Sequence, residues 1–146
     1  MRKLIFILLF LLFSFLNLQA QPQYSIVGKW KAIDDTTGNA TAVIEIKEDK
    51  GKYSGKIIEV LAVDSKDSKC ENCKGKDWMK TYKGLTIMKN VVKEKDNKYS
   101  GGTIFDPETG AEYKCSLKLV GYSKLEVSGI SSVLLFKRSQ TWTKQP

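Results

Sequence analysis

From residue 26 onward the chain alternates apolar and polar residues with a period of two, and turn residues interrupt the alternation about every ten positions. Such a chain cannot bury its apolar residues as helices, because a helix needs them three and four positions apart. Ile26, Gly28, Trp30 and Ala32 alternate with Lys29 and Lys31 in a first strand. Ala40, Ala42, Ile44 and Ile46 do the same in a second. Further strands are read at residues 52–63, 84–93, 98–105, 113–119, 124–130 and 132–144. Eight short strands at this spacing predict an all-β, antiparallel meander. Closure into an up-and-down barrel removes both exposed edges. A two-sheet sandwich accommodates the same spacing and is the alternative.

The N-terminus reads differently. Met1-Arg2-Lys3 is a basic start, residues 4–16 are apolar except for Ser14, and Ala20 offers a small residue for cleavage. This is the pattern of a signal peptide over residues 1–20, and it predicts an exported protein, periplasmic or secreted. The apolar run is short for a membrane span, and no second run follows, so no integral membrane segment is expected in the mature chain. The residue after Ala20 is Gln21 and not Cys, which argues against a lipid anchor. Residues 21–146 then form a single domain, long enough to bury a core without a disulfide framework. Cleavage removes Arg2 and Lys3, leaving 22 Lys and Arg against 16 Asp and Glu, a net charge of +6 in place of +8. The lysines are spread along the chain. Nucleic acid is not expected as a partner, because its recognition needs a focused basic patch.

Two segments echo each other. Lys52-Tyr53-Ser54-Gly55 returns as Lys98-Tyr99-Ser100-Gly101, and the turn at residues 34–38 returns at 106–110. The match reads as one local solution used twice, in which a glycine lets the barrel wall bend or bulge. The irregular stretch is 64–83, which holds Cys70, Cys73, Trp78, Met79 and Tyr82. A connection of this length without periodicity is a candidate lid or binding loop. At the ends of the chain, Gly28 and Trp30 on the first strand and Arg138 and Trp142 on the last are expected to close the barrel. There the Arg138 guanidinium would pack on an indole face.

These bookends resemble the lipocalin and calycin pattern, a Gly-x-Trp opening the first strand and an Arg on the last. More specifically, the chain from about Val27 to Thr143 resembles the secreted bacterial family called domain of unknown function 2147. The resemblance is carried by Gly28-Lys29-Trp30, the turn at 34–38, Cys70-x-x-Cys73, Gly84-Leu85, the run from Gly101 through Asp106-Pro107 and Gly110 to Tyr113, and Arg138-x-x-x-Trp142. It implies a lipocalin-like β-barrel and brings no known activity. Members often carry an Arg before the glycine of the seventh strand. Here that position is Ser128, so a role tied to the Arg does not carry over.

The three cysteines and the absence of histidine narrow the chemistry. In an exported chain Cys70 and Cys73 are expected to form a disulfide across the long loop. A redox-active pair is the weaker alternative, since no helix or βαβ unit surrounds the motif. Cys115 falls on the inward phase of its strand and reads as a buried free thiol, with pairing to a loop cysteine as the alternative. Without His, Ser-His-Asp and Cys-His catalysis are excluded, and no metal site or cofactor is expected. The acidic residues lie in turns or stand alone, so there is no positive case for an enzyme.

The interior remains. Tyr53, Tyr99, Phe105 and Tyr113 are candidate inward aromatics that could orient a ligand, with Trp78 added from the loop. The leading reading is an envelope protein that binds or carries a small apolar or amphipathic ligand, its mouth capped by the Cys70–Cys73 loop. An eight-stranded barrel can instead be filled by side chains. The alternatives are therefore a filled interaction or structural module with an envelope protein partner, or a thiol-active protein using Cys70 and Cys73.

Overall fold

The computed structural model describes residues 24–131 and 137–146. The leader expected over 1–20 lies outside the described residues, as does the stretch 132–136 of the expected last strand. Eight strands follow one another: β1 (Gly28–Ile33), β2 (Ala40–Asp49), β3 (Lys52–Val60), β4 (Thr86–Lys95), β5 (Lys98–Phe105), β6 (Glu112–Val120), β7 (Lys124–Ile130) and β8 (Lys137–Lys144). Each pairs antiparallel with the next, and β1 pairs with β8, so the sheet is a closed up-and-down barrel rather than a sandwich. Among the described residues no helix is long and apolar enough to cross a membrane.

The period of two sets what faces inward. On β6, Cys115, Leu117 and Leu119 are buried while Lys114, Ser116 and Lys118 are exposed, and on β7 Leu125, Val127 and Gly129 are buried. The third strand ends at Val60, short of the expected residue 63. The reason is local: the amides of Leu61 and Ala62 both donate to the Thr41 carbonyl, and the chain then enters a 3-10 turn at Val63–Ser65. The two Tyr-Ser-Gly echoes do mark wall irregularities. Register shifts occur beside Gly55 in the β3–β4 pair and between Tyr99 and Gly102 in the β5–β6 pair. Gly101 has φ of 81° there, and a Cβ on Gly102 would lie 2.1 Å from the Lys89 carbonyl oxygen. Only glycine lets the two strands approach this closely.

One end of the barrel is packed shut. The Trp30 indole is fully buried and donates through Nε1 to the Ile26 carbonyl at 2.8 Å. Residues 24–27 lie across this end. Ile26 is buried against the core, Tyr24 stacks on Tyr122 of the β6–β7 turn at 4.5 Å, and the carbonyls of Ser25 and Val27 accept from Lys144 Nζ. Tyr53 and Tyr99 meet edge to face at 5.1 Å, and Tyr99 joins Leu117, Leu119 and Leu125 in the plug.

The cation over Trp30 is Lys144, 5.1 Å from the ring centroid, and not Arg138. The register explains the correction. Trp30 faces Lys144 across the closing ladder, whereas Arg138 lies opposite Gly129. The two cations stand six positions apart along β8, about 20 Å at the usual rise.

The Trp30→Ala variant removes the largest side chain of the plug. It is expected to lower the free energy of unfolding by about 3–5 kcal/mol in chemical denaturation.

Candidate functional site

The opposite end is hollow. A cavity of about 230 Å³ opens where the β1–β2, β3–β4 and β5–β6 connections gather. Its floor is apolar, made by Ile44, Ile57, Ile87, Val127 and Trp142. The space exists because small residues occupy inward positions here. Ala32 and Ala42 face each other across β1 and β2, Ala62 follows β3, and Gly129 sits on β7. The closed end carries Trp, Tyr and Leu at the equivalent phase. Gly129 has a second effect: a Cβ there would lie 2.9 Å from Tyr113 Cβ. The tyrosine thus lies against bare backbone at the cavity wall.

Two turns of one design frame the mouth. In the β1–β2 turn the Gly38 amide donates to the Asp34 carbonyl at 2.7 Å. In the β5–β6 turn the Gly110 amide donates to the Asp106 carbonyl at 2.8 Å. Each aspartate caps its own turn through Oδ1. Asp34 accepts from the Thr36 and Thr37 amides and the Thr37 hydroxyl, and Asp106 accepts from the Glu108 amide. The sequence echo is therefore a structural one, and it sets a carboxylate on either side of the opening. Arg138 Nη1 donates to Asp106 Oδ2 at 2.9 Å. The Thr37 amide, and more weakly the Arg138 charge, hold the Asp34 carboxyl below its usual range. Asp34 is ionised at neutral pH. Burial, followed by the charges of Glu108, Asp106 and Glu71, pushes the Tyr82 phenol up, so it stays protonated there. Near neutrality the mouth thus presents an anionic Asp34 and a neutral Tyr82.

The long connection, residues 61–85, supplies one side of the mouth through Ala62, Ser65 and Tyr82. It folds back on itself, with Cys70 and Lys80 paired through the Cys70 amide, and Ser68 accepting from the Tyr82 amide. Cys70 and Cys73 form a disulfide with Cα atoms 5.3 Å apart. The bridge is buried, Cys70 at 0% exposure and Cys73 at 9%. It carries Asn72 onto the β5–β6 turn, where Nδ2 donates to the Glu108 carbonyl at 2.8 Å. A Cβ on Gly110 would meet Asn72 Cβ at 2.7 Å, so the contact is close. The loop is latched to the same turn that carries Asp106. Cys115 is a free, buried thiol whose pKa burial pushes up to about 12.

The sequence-derived candidates divide between the two ends. Phe105 and Tyr113 line the cavity. Tyr53 and Tyr99 lie in the plug at the other end. Trp78 is 61% exposed on the outside of the loop. Of the bookends, Gly28 and Trp30 stand at the closed end, while Arg138 and Trp142 line the cavity. Trp142 also faces Ala32 in the closing ladder, so it serves both the closure and the cavity floor. Gln140, whose Oε1 accepts from the Trp142 indole at 3.2 Å, is a lining residue that was not singled out from sequence. Its inward phase on β8 was the available signal. Tyr82 comes from the irregular stretch expected to be a lid or binding loop, where no periodicity distinguishes it from Trp78 or Met79.

Comparison with known proteins agrees with this architecture. The family described as "Uncharacterized protein conserved in bacteria (DUF2147)" matches residues 28–144. The chain belongs to this family. A solved structure, protein HP1028 from the human pathogen Helicobacter pylori, described as belonging to the lipocalin family, is similar at a TM-score of 0.71. The similarity covers 84% of each chain at 18% sequence identity, and it shows a shared lipocalin-like fold. No curated protein matches the sequence. The DUF2147 barrel described here is thus lipocalin-like, with one plugged end and one hollow end.

The Cys70→Ser/Cys73→Ser double variant tests the latch. The bridge closes a very short loop, so its loss is expected to cost no more than about 2 kcal/mol of stability. Hydrogen exchange should rise in residues 66–82 and 106–110, while the β6–β7 ladder keeps its protection.

Proposed function

We propose that this DUF2147 protein is a non-catalytic binder of a small apolar or amphipathic molecule, held in the hollow end of the barrel. The observation that carries the reading is an apolar floor beneath a rim of hydrogen-bonding and charged groups, in a barrel whose other end is filled. A ligand site typically combines a largely apolar lining with a few placed polar groups. An apolar cavity of about 150 Å³ can take up benzene. The present cavity, at about 230 Å³, has room for a ligand of a few more atoms. Phe105, Tyr113, Tyr82 and Trp142 would contact the apolar part, and Arg138, Asp106 and Gln140 would meet the polar part.

The N-terminal segment with its signal-peptide pattern and the Cys70–Cys73 disulfide support export to an oxidising compartment, the periplasm or the exterior. The buried disulfide supports a structural role for the cysteines over thiol exchange, which needs an accessible sulfur. A second reading, docking of an envelope partner on the loop, draws support from exposed Trp78 and Met79 side by side.

Native mass spectrometry of protein purified from its own host tests the proposal. A discrete added mass is expected, released under mild denaturation. The Ala42→Phe variant fills the cavity from its wall and should abolish that mass while far-ultraviolet circular dichroism stays unchanged. Wild-type protein with no added mass, and no uptake of octanol in a titration, would overturn it.

A further inference from the structure

We propose that the cavity selects an amphiphile with a cationic head, an ammonium group on a short apolar chain. This inference rests on the ligand-binding reading of the cavity and adds the charge of what binds. The chain carries a net charge of +8, so its bulk field favours anionic ligands. The rim of the cavity has the opposite balance. Its charged lining among the described residues is Asp34, Asp106 and Glu108 against Arg138 alone.

Arg138 is already engaged. Its guanidinium donates to Asp106 at 2.9 Å, and its charge also reaches Asp34. An anionic head drawn to the other N–H groups of Arg138 would still face the three carboxylates of Asp34, Asp106 and Glu108. A cation meets no such obstacle. Asp34 uses only Oδ1 to cap its turn, and among the described residues Oδ2 makes no hydrogen bond. The Glu108 side chain likewise makes none, since only its backbone holds the latch and the turn.

The wall below the rim favours the same charge. Tyr82, Phe105, Tyr113 and Trp142 line one cavity. Aromatic faces attract cations, and clusters of them are how proteins hold ammonium groups. Tyr82 stays protonated at neutral pH and adds a neutral ring. An apolar floor lowers the local dielectric, which strengthens each of these charge interactions relative to water. Cavity, carboxylates and rings thus converge on one class of ligand.

Isothermal titration of the protein with three probes of one chain length separates the possibilities: octylammonium, octanol and octanoate, at neutral pH and low salt. Octylammonium is expected to bind at least about tenfold tighter than octanoate, a difference of about 1.4 kcal/mol, with octanol between them. The Glu108→Gln variant should narrow that ratio by about threefold, as should salt raised to about 0.5 M. Glu108 is exposed, so the substitution leaves the fold in place. Binding of octanol with octanoate equal to or tighter than octylammonium would overturn the charge assignment and leave the cavity reading standing. Binding of none of the three would overturn both.

Discussion

Four facing residue pairs between β1 and β8, from Trp30 with Lys144 to Ile33 with Thr141, close the sheet on itself. Once eight strands are closed, their number and stagger fix the width of the interior, and side chains only decide how much of it is occupied. Trp30 settles the question at one end. Its indole fills the bore, its N–H is satisfied by the Ile26 carbonyl, and its face is covered by Lys144. A buried indole needs its N–H partner, and here the partner comes from the segment that crosses the barrel end. The same ladder sets Ala32 beside Trp142, one step up, where the small side chain begins the hollow half. Plug and cavity are thus consequences of a single register.

The rim has its own logic. Two aspartate-capped turns of the same design bring Asp34 and Asp106 to the opening, and Arg138 ties the second of them to β8. The disulfide-bearing loop adds Tyr82 and clamps the Asp106 turn from outside through Asn72. An exposed ion pair alone contributes little to stability. Its value here is geometric: it holds a charge in a fixed place over an apolar floor. Hydrogen-bonded turns and a covalent bridge shape the described part of the mouth, and a preformed mouth would lower the ordering cost of the proposed binding.

Much of this was legible in the sequence. Alternation at Tyr113, Cys115, Leu117 and Leu119 gave the strand and its inward face, and the spacing of turns gave the meander. The repeated turn and the Tyr-Ser-Gly echo pointed to repeated local geometry, and both recur in the fold. What alternation does not encode is height along the barrel. Tyr53, Tyr99 and Tyr113 share an inward phase, yet the first two lie in the plug and the third at the cavity, while the bulge before Gly102 shifts the phase of β5 and sets Phe105 opposite exposed Glu112. The partner of Trp30 was misread for the same reason. Choosing Lys144 over Arg138 requires the β1–β8 register, which depends on strand stagger summed around the whole barrel. The loop of residues 64–83 stands out in the sequence as a candidate binding loop, but which of Trp78, Met79 and Tyr82 it delivers to the mouth depends on a disulfide and on contacts with a distant turn, and neither has a period.

Methyl-selective NMR during addition of octanol addresses the half-hollow barrel most directly. Shifts confined to Ile44, Ile57, Ile87 and Val127, with Leu117, Leu119 and Leu125 unmoved, are the expected result. Shifts centred on the three leucines, or none at all at saturating octanol, would contradict a ligand cavity at the end opposite Trp30.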